Sequence, residues 1–317
     1  MCKSTAFILT LVCLQHNAAS KALNTGKTFV YPRVLEERSQ QGFYTLRVNE
    51  QITLNLKKAT PFAKRLKILY EDGDNKYPKE LTLRSMRGEV YKGEEDHTAV
   101  MISFNNGWRV KGIITNKFII NHVEDAEPKM GLLPHLLTPI TSQENKSDVM
   151  KAVGVLNQDT HRNAGGLFQE RQNAENEGNE QQSGPTSATV RLGVILSQQY
   201  VAAFKESNYS EISEITDYLA VFFCFVNIFL EKFDKSLLDL QIRVYRIYLV
   251  TETTRSFIQY AGTERQVIAG ASLESLNAFV RSKMVTFQNT DVVVYMSECP
   301  ISTRNANGIT RVYASGK

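Results

Sequence analysis

Alternating apolar and polar positions dominate the chain from residue 28 to residue 123. Residues 44–48 and 52–56 alternate with a period of two, which is typical of strands with one buried face. A β-meander is predicted next, with strands at Ala99–Phe104, Trp108–Ile114 and Phe118–Val123 and turns at Asn105-Asn106-Gly107 and Thr115-Asn116-Lys117. Asn-Gly between two strand patterns is the strongest short-range signal for a hairpin. The pattern therefore predicts a mostly β segment over 28–123.

Beyond residue 187 the pattern becomes an alternation of strands and helices. The predicted strands are Val190–Leu196, Leu240–Val250, Asp291–Met296 and an edge strand Arg311–Ala314. Val292-Val293-Val294 is typical of a fully buried parallel strand. The predicted helices are Ser210–Phe233 and a second helix capped by Ser272, with Leu273, Leu276, Phe279, Val280 and Met284 on one face. The order β-α-β-α-β-(β) predicts an α/β layered domain with a mixed sheet.

The first of these helices is apolar on nearly all sides at its centre. Only Asn227 interrupts the apolar run Leu219–Leu230. Twelve residues are too few to cross a bilayer, which needs about twenty. A core helix packed on a sheet is therefore predicted, rather than a membrane span.

A polar stretch separates the two patterns. Residues 157–187 are dominated by Gln, Asn, Glu and Gly, with little apolar relief. Such a composition cannot bury enough apolar surface to offset the entropy of ordering. A linker is predicted there, at the boundary between a β-rich segment and an α/β domain.

The N-terminus has the pattern of a secretory signal. Lys3 precedes the apolar run Ala6–Leu14, and the small residues Ala18 and Ser20 stand where cleavage after Ser20 requires them. The alternative is a buried N-terminal strand. Secretion implies four parts: a signal peptide at 1–20, a β-rich prosegment at 21–156, a polar linker at 157–187 and the α/β domain at 188–317.

Secretion leaves two cysteines, because Cys2 and Cys13 lie in the signal. In an oxidising compartment Cys224 and Cys299 can form one bridge, or each can await a partner elsewhere. A small core residue is the first interpretation of Cys224, and a disulfide with Cys299 is the second.

Secretion also gives meaning to two glycosylation sequons, which begin at Asn145 and Asn208. Asn145 lies in a polar stretch that would tolerate a glycan. Asn208 precedes a helix and has Glu211 three residues on, so it can equally be an N-cap.

Charge and motifs exclude several function classes. The 37 Lys and Arg against 33 Asp and Glu give a net charge of only +4, and the charges are interspersed, so no nucleic-acid footprint is indicated. The chain has no G-x-S-x-G, P-loop, G-x-G-x-x-G or paired C-x-x-C motif. No residue can be assigned as catalytic, cofactor-binding or metal-binding.

The histidines and acidic pairs are interpreted as surface groups. No histidine occurs between Thr189 and Lys317, so a His-based zinc site or a Ser-His triad cannot form within the α/β domain. His97 and His122 are interpreted as lone surface histidines. His135 and His161 are too scattered to be zinc ligands. Glu211 and Glu214 are interpreted as a solvated helix face.

Three short sequence motifs resemble those of a known protein family. They are Val-Tyr-Pro-Arg-Val-Leu-Glu-Glu-Arg-Ser at 30–39, Ile-Thr-Leu-Asn-Leu at 52–56 and Pro-His-Leu-Leu at 134–137. With the signal, the β-rich prosegment and the α/β order, the chain resembles a precursor of a reprolysin-type (adamalysin-like) metzincin zinc metalloprotease, most closely the kind that tick salivary glands secrete. The resemblance implies a metzincin-like N-terminal catalytic subdomain at 188–317, a zinc cofactor, and proteolysis of extracellular protein substrates or host proteins.

The chain departs from that family at two places. The zinc-binding motif H-E-x-x-H-x-x-G-x-x-H is not present in the 317 residues, so they supply no zinc ligand and no catalytic base. Pro128-Lys129-Met130 is followed by Gly131, where many relatives have the cysteine whose thiolate keeps the enzyme latent. The resemblance also implies that Arg311–Ala314 is the edge strand of the cleft, to which a substrate strand adds.

These observations lead to one favoured function and two alternatives. The favoured function is a secreted zinc metalloendopeptidase precursor whose 317 residues are inactive alone. The first alternative is a non-catalytic secreted binding or decoy protein derived from a metalloprotease. The second is a secreted α/β binding domain unrelated to proteases.

Overall fold

The computed structural model describes residues 26–38, 43–70, 79–81, 86–93, 97–140, 186–198, 200–202, 212–232, 238–250, 259–261, 266–296, 301–304 and 310–314. The strands of the first half are β1 (Thr28–Val30), β2 (Arg33–Arg38), β3 (Phe43–Arg47), β4 (Thr53–Ala59), β5 (Phe62–Tyr70), β6 (Lys79–Leu81), β7 (Glu89–Gly93), β8 (Ala99–Phe104), β9 (Trp108–Ile114), β10 (Phe118–His122) and β11 (His135–Pro139). The strands of the second half are β12 (Thr186–Leu196), β13 (Leu238–Leu249), β14 (Tyr260–Ala261), β15 (Gln266–Ile268), β16 (Val292–Met296), β17 (Ile301–Arg304) and β18 (Thr310–Ala314). The helices are α1 (Ile212–Leu230), α2 (Ala269–Ser282) and the short α3 (Met284–Phe287).

Nine strands of the first half form one antiparallel sheet in the order β1-β11-β10-β9-β8-β7-β4-β3-β2. The two edge strands follow each other in the chain, since β1 ends at Val30 and β2 begins at Arg33. Three residues span at most about 10 Å, so the two edges of the sheet must lie near each other. The sheet is therefore curled, with an inner and an outer face.

The predicted meander is found within this sheet. Strands β8, β9 and β10 pair antiparallel in sequence, and Asn106 and Gly107 of the first turn have φ angles of 52° and 141°. Alternate residues point inward and form an apolar core that includes Leu46, Leu54, Leu56, Val100, Val110, Ile114 and Ile120. At Gly112 a Cβ would lie 2.3 Å from the Ala99 carbonyl oxygen, so the close approach of β8 to β9 requires glycine.

A second sheet joins strands from both halves of the chain. Its order is β16-β12-β13-β5-β6; the first four strands are parallel and β6 runs antiparallel to β5. The mixed sheet was predicted, but the contribution of β5 and β6 was not. The β-rich segment and the α/β segment therefore share hydrogen bonds.

Most of the linker prediction for 157–187 lies outside the described residues, and the four-part division of the chain stays a prediction.

The last strands differ from their predicted place. Strand β18 is an edge strand, as was predicted for Arg311–Ala314, but it belongs to a separate sheet in the order β14-β15-β17-β18. Strand β16 is parallel to β12, as predicted from its valines. The prediction that this strand is fully buried is wrong, because β16 is at the edge of its sheet and Val292 and Val294 are only half-buried.

The layers stack around helix α1. Leu219, Phe222 and Phe223 of α1 pack on Leu192, Val194 and Val244 of the mixed sheet. On the other face of that sheet, Ile195 and Tyr248 pack with Leu276 of α2 and Phe287 of α3. The order of layers is therefore curled sheet, α1, mixed sheet, and then α2 with α3.

Helix α2 does not begin where its sequence predicts. The predicted cap Ser272 lies inside the helix, whose N-cap residue is Ile268. The Ser272 hydroxyl instead donates to the Gln259 carbonyl (3.2 Å) and accepts from the Gln259 N–H (3.0 Å). The prediction of a Ser272 cap is wrong because a tertiary contact uses that side chain.

Candidate functional site

Helix α1 is buried on two opposite sides. One side packs on the mixed sheet, and Ala220, Val221, Cys224 and Ile228 on the other side pack on the outer face of the curled sheet. The curled sheet contributes Val90, Ala99 and Met101 to this contact. By length and composition α1 passes as a membrane span, alone among the helices of the described part, but 61% of its apolar stretch is buried inside the protein. The helix is therefore the contact element between the two halves of the chain.

Asn227 is the polar residue in the apolar part of α1, and its side-chain amide hydrogen-bonds to β13 as the backbone of a neighbouring strand would. Its Oδ1 accepts from the Ile242 N–H (2.7 Å) and its Nδ2 donates to the Ile242 carbonyl (2.9 Å). Two residues on, the Val244 N–H donates to the Pro61 carbonyl (2.9 Å), just before β5 begins. Asn227 thus satisfies the backbone of β13 immediately beyond the end of its neighbour β5.

Four charged residues meet at the N-terminal end of α1, and we call them the charge cluster: Arg87, Lys111, Glu214 and Asp217. Arg87 Nη1 donates to Glu214 Oε1 (2.9 Å), and the Arg87 main-chain N–H donates to the Asp217 carboxylate. Asp217 is only 5% exposed, and its Oδ1 has no hydrogen-bond partner among the described residues. Lys111 reaches the cluster from β9. The cluster is therefore a buried ionic contact between the helix and the curled sheet.

Burial shifts the ionisation of two members of the charge cluster. Loss of water around the Asp217 carboxyl raises its pKa to about 6, although Arg87 and Lys111 oppose this shift. Burial also lowers the pKa of Lys111 below its usual range, and the carboxylates of Asp217 and Glu214 oppose that shift. Desolvation thus exceeds ion pairing at both groups.

The sequence-based interpretation of Glu214 as a solvated residue is wrong. Its side chain is only 19% exposed and is paired with Arg87. Asp217 was missed altogether, although it stands in the same row as Val221, Cys224 and Ile228, three or four residues apart. The available signal for its burial was its position: an acidic residue within a second apolar row of a helix that is already apolar on its other side. The partners Arg87 and Lys111 were not visible because they are more than 100 residues away.

The other end of α1 is also tied to the curled sheet. Glu231 pairs with Lys92 of β7, and Lys232 contacts His97. The His97 ring lies 5.3 Å from the ring of Phe229. His97 is therefore part of this contact rather than a lone surface histidine.

A buried histidine lies on the inner side of the curled sheet. His135 is fully buried, its Nε2 accepts from the Val110 N–H (2.9 Å) and its Nδ1 lies 2.9 Å from the Leu133 carbonyl. Burial lowers the pKa of His135 to about 4. The His122 ring is 5.4 Å away, so the interpretation of His122 as a lone surface histidine is also wrong; burial lowers the pKa of His122 as well.

The remaining predicted site residues fall in two groups. Asn145, His161, Asn208, Glu211 and Cys299 lie outside the described residues. Cys224 is a free thiol buried against the curled sheet, and its Sγ lies 4.0 Å from the Tyr91 carbonyl oxygen. This position agrees with the interpretation of Cys224 as a small core residue.

The segment Pro-Lys-Met-Gly at 128–131 lies in a tight hairpin turn. Lys129 and Leu132 exchange two backbone hydrogen bonds (3.1 and 2.9 Å). The two residues between them, Met130 and Gly131, have φ angles of 52° and 76°, as in a type I′ turn. A positive φ favours glycine, which suits Gly131 to this position.

The donor groups in the described part of the chain do not fit a zinc ion. Zinc needs three or four converging N, S or O ligands. Within the described residues, no three His, Cys, Asp or Glu side chains converge in that way. The neighbouring rings of His122 and His135, 5.4 Å apart, do not form a metal site, because both ring nitrogens of His135 already bond to backbone.

The chemical property of the charge cluster is a change of charge at mildly acidic pH. Asp217 is buried, so its carboxyl is not accessible to a substrate. The chain matches no protein-family model, and a comparison with curated proteins finds no match to it.

Proposed function

We propose that this chain is the N-terminal part of a secreted zinc metalloendopeptidase precursor of the reprolysin type. In this proposal residues 1–20 direct secretion, 21–156 are a prosegment, and 188–317 begin a catalytic domain that acts on extracellular proteins. The support is the three sequence motifs at 30–39, 52–56 and 134–137, together with the alternation in the second half of the mixed-sheet strands β12, β13 and β16 with the helices α1 and α2.

The observation that carries the proposal is the contact between the two halves. A prosegment that restrains an enzyme must bind the domain that follows it. Here β5 extends the mixed sheet beyond β13, and the outer face of the curled sheet covers one side of α1. This contact supports the proposal that the first half is a restraining segment.

The zinc of the proposed enzyme has no site among the described residues, so no catalytic step is assigned to them. We expect the 21–317 chain to hold no stoichiometric zinc after dialysis and to hydrolyse no protein substrate, since no set of metal ligands converges in the part of the chain that the structure describes. Elemental analysis and a casein assay measure both properties. One tightly held zinc per molecule would contradict this expectation.

The decisive experiment for the proposed function is to read the transcript downstream of Lys317. An in-frame H-E-x-x-H word is expected, together with chelator-sensitive proteolysis by the secreted full-length product. A stop codon directly after Lys317 would overturn the proposal. A non-catalytic secreted binding protein would then be the function to test.

Cleavage of the predicted linker should leave the halves associated. We expect limited proteolysis within 157–187 to yield two fragments that elute together in gel filtration, because the β5–β13 pairing and the α1 contact join them. In about 6 M urea the fragments should separate, which controls for a residual covalent link. Separate elution in native buffer would contradict the predicted restraint.

A further inference from the structure

The contact between α1 and the curled sheet has an ionic part that responds to pH. We propose that the charge cluster is a pH-sensitive clasp, which holds the curled sheet on α1 more tightly in mild acid than at neutral pH. The inference stands on the placement of four charged side chains between a helix and a sheet from opposite halves of the chain.

The groups that face Asp217 define the clasp. Glu214 lies three residues away on the same helix, Lys111 comes from β9, and Arg87 precedes β7. The residues of β7 and β8 at this contact, Val90, Ala99 and Met101, carry no charge. On the opposite side, β13 presents the apolar Ile242 and Val244. Lys92 of β7 is engaged with Glu231 at the far end of the helix.

At neutral pH the clasp holds two carboxylates and two cations. The carboxylates of Glu214 and Asp217 repel each other, and the Asp217 charge is poorly solvated because Oδ1 has no hydrogen-bond partner within the described residues. Protonation removes both penalties at once. Protonation also gives up the attraction of the Asp217 carboxylate to Lys111 and Arg87, but the desolvation that it relieves is the larger effect.

The direction of the pH effect follows from linkage. The pKa of Asp217 in the folded protein is about 6, above the value of about 3.9 in an unfolded chain. A raised pKa means that the packed state binds the proton more tightly. The added stability is fully present below about pH 3.9 and is lost as the pH rises through about 6. Between about pH 7.5 and 5 the packed state gains about tenfold over the opened state.

The biological consequence rests on the proposed function. For a secreted precursor, the clasp would hold the prosegment in mildly acidic secretory vesicles and loosen it at the neutral pH outside the cell. The clasp itself is a property of the purified chain, and it can be tested without any protease activity. Its failure therefore leaves the proposed function standing, and the reverse also holds.

Cys224 supplies a local probe of the clasp. It is only 1% exposed and lies within the contact, so a thiol reagent reaches it when the curled sheet separates from α1. The experiment treats the full chain with 4,4′-dithiodipyridine at about pH 7.5 and 5 and localises the label on the Cys224 peptide by mass spectrometry. Dividing by the rate in the urea-unfolded chain at the same pH removes the intrinsic pH dependence of the thiol.

The expected result is a rise of about tenfold in the protection of Cys224 between about pH 7.5 and 5. Asp217→Asn removes the titrating group at nearly constant shape and should abolish this rise. Asp125→Asn is the matched control, because Asp125 is exposed in the turn that follows β10 and is not a member of the charge cluster; it should behave as the unmodified chain does. Protection that is flat or falls in acid, or an unchanged rise in Asp217→Asn, would overturn the proposal.

A second measurement does not depend on the variant folding. The ¹³C shift of the Asp217 carboxyl in the unmodified chain should titrate with a midpoint of about pH 6, well above the value of about 3.9 for an aspartate in an unfolded chain. A midpoint at or below about 3.9 would overturn the clasp, even if Asp217→Asn failed to fold.

Discussion

Replacing Asn227 with leucine is expected to lower the free energy of unfolding by about 3 kcal/mol. The substitution leaves the Ile242 N–H and carbonyl without the partners that Asn227 now supplies at 2.7 and 2.9 Å. Each buried backbone group left without a partner costs about 1–3 kcal/mol, and the added apolar surface of leucine offsets part of this loss. Urea denaturation followed by circular dichroism measures the difference.

The matched control for this prediction is Asn55→Leu. Asn55 is exposed on β4 and makes only a long hydrogen bond of 3.4 Å to Thr45, so its replacement should change the free energy by less than about 0.5 kcal/mol. Hydrogen exchange adds a local readout, because the Ile242 amide should lose protection in Asn227→Leu. If the free energy of unfolding fell by less than about 1 kcal/mol and the Ile242 amide stayed protected, Asn227 would not be the residue that satisfies the backbone of β13 at Ile242.

Local patterns predicted the strands of the curled sheet well. The apolar-rich segments at 99–104 and 108–114 and the Asn106-Gly107 turn specify a hairpin through neighbours in sequence, and the structure has strands with those bounds. The parallel pairing of the strand at 292–296 was also predicted, from its run of valines, although the strand lies at the edge of its sheet and not in the interior. Hairpins and apolar runs need no information from distant residues.

What failed depended on contacts between distant residues. Helix α1 was expected to pack on one sheet, yet its second apolar row already required a second layer. The sequence contains no signal that this layer is β7, β8 and β9, or that β5 joins β13. The charge cluster shows the same limit, because Arg87 meets Glu214 across 127 residues.

Two buried titratable groups act in opposite directions in mild acid. Asp217 has a raised pKa of about 6, so its contribution to stability grows as the pH falls. His135 has a pKa lowered to about 4, so its contribution is lost as the pH falls. The two effects cover nearly the same pH window and partly cancel in the global stability. A flat pH profile of the unmodified chain would therefore conceal two opposed groups, and single substitutions are needed to separate them.

His135→Gln is expected to make the protein less sensitive to acid. In the folded chain His135 stays neutral, because a proton on Nε2 would confront the Val110 N–H that this nitrogen now accepts at 2.9 Å. In an unfolded chain the histidine takes up that proton below about pH 6.5, so stability is present above this pH and is lost as the pH falls toward about 4. The loss at about pH 4 amounts to about 3 kcal/mol, and glutamine, which does not titrate, should not show it. Urea denaturation between about pH 7.5 and 4 measures the slope, with His97→Gln, at the half-buried contact with Lys232 and Phe229, as the control for losing a different histidine. If His135→Gln lost stability in acid as steeply as the unmodified chain, the acid sensitivity would have to come from a group other than His135.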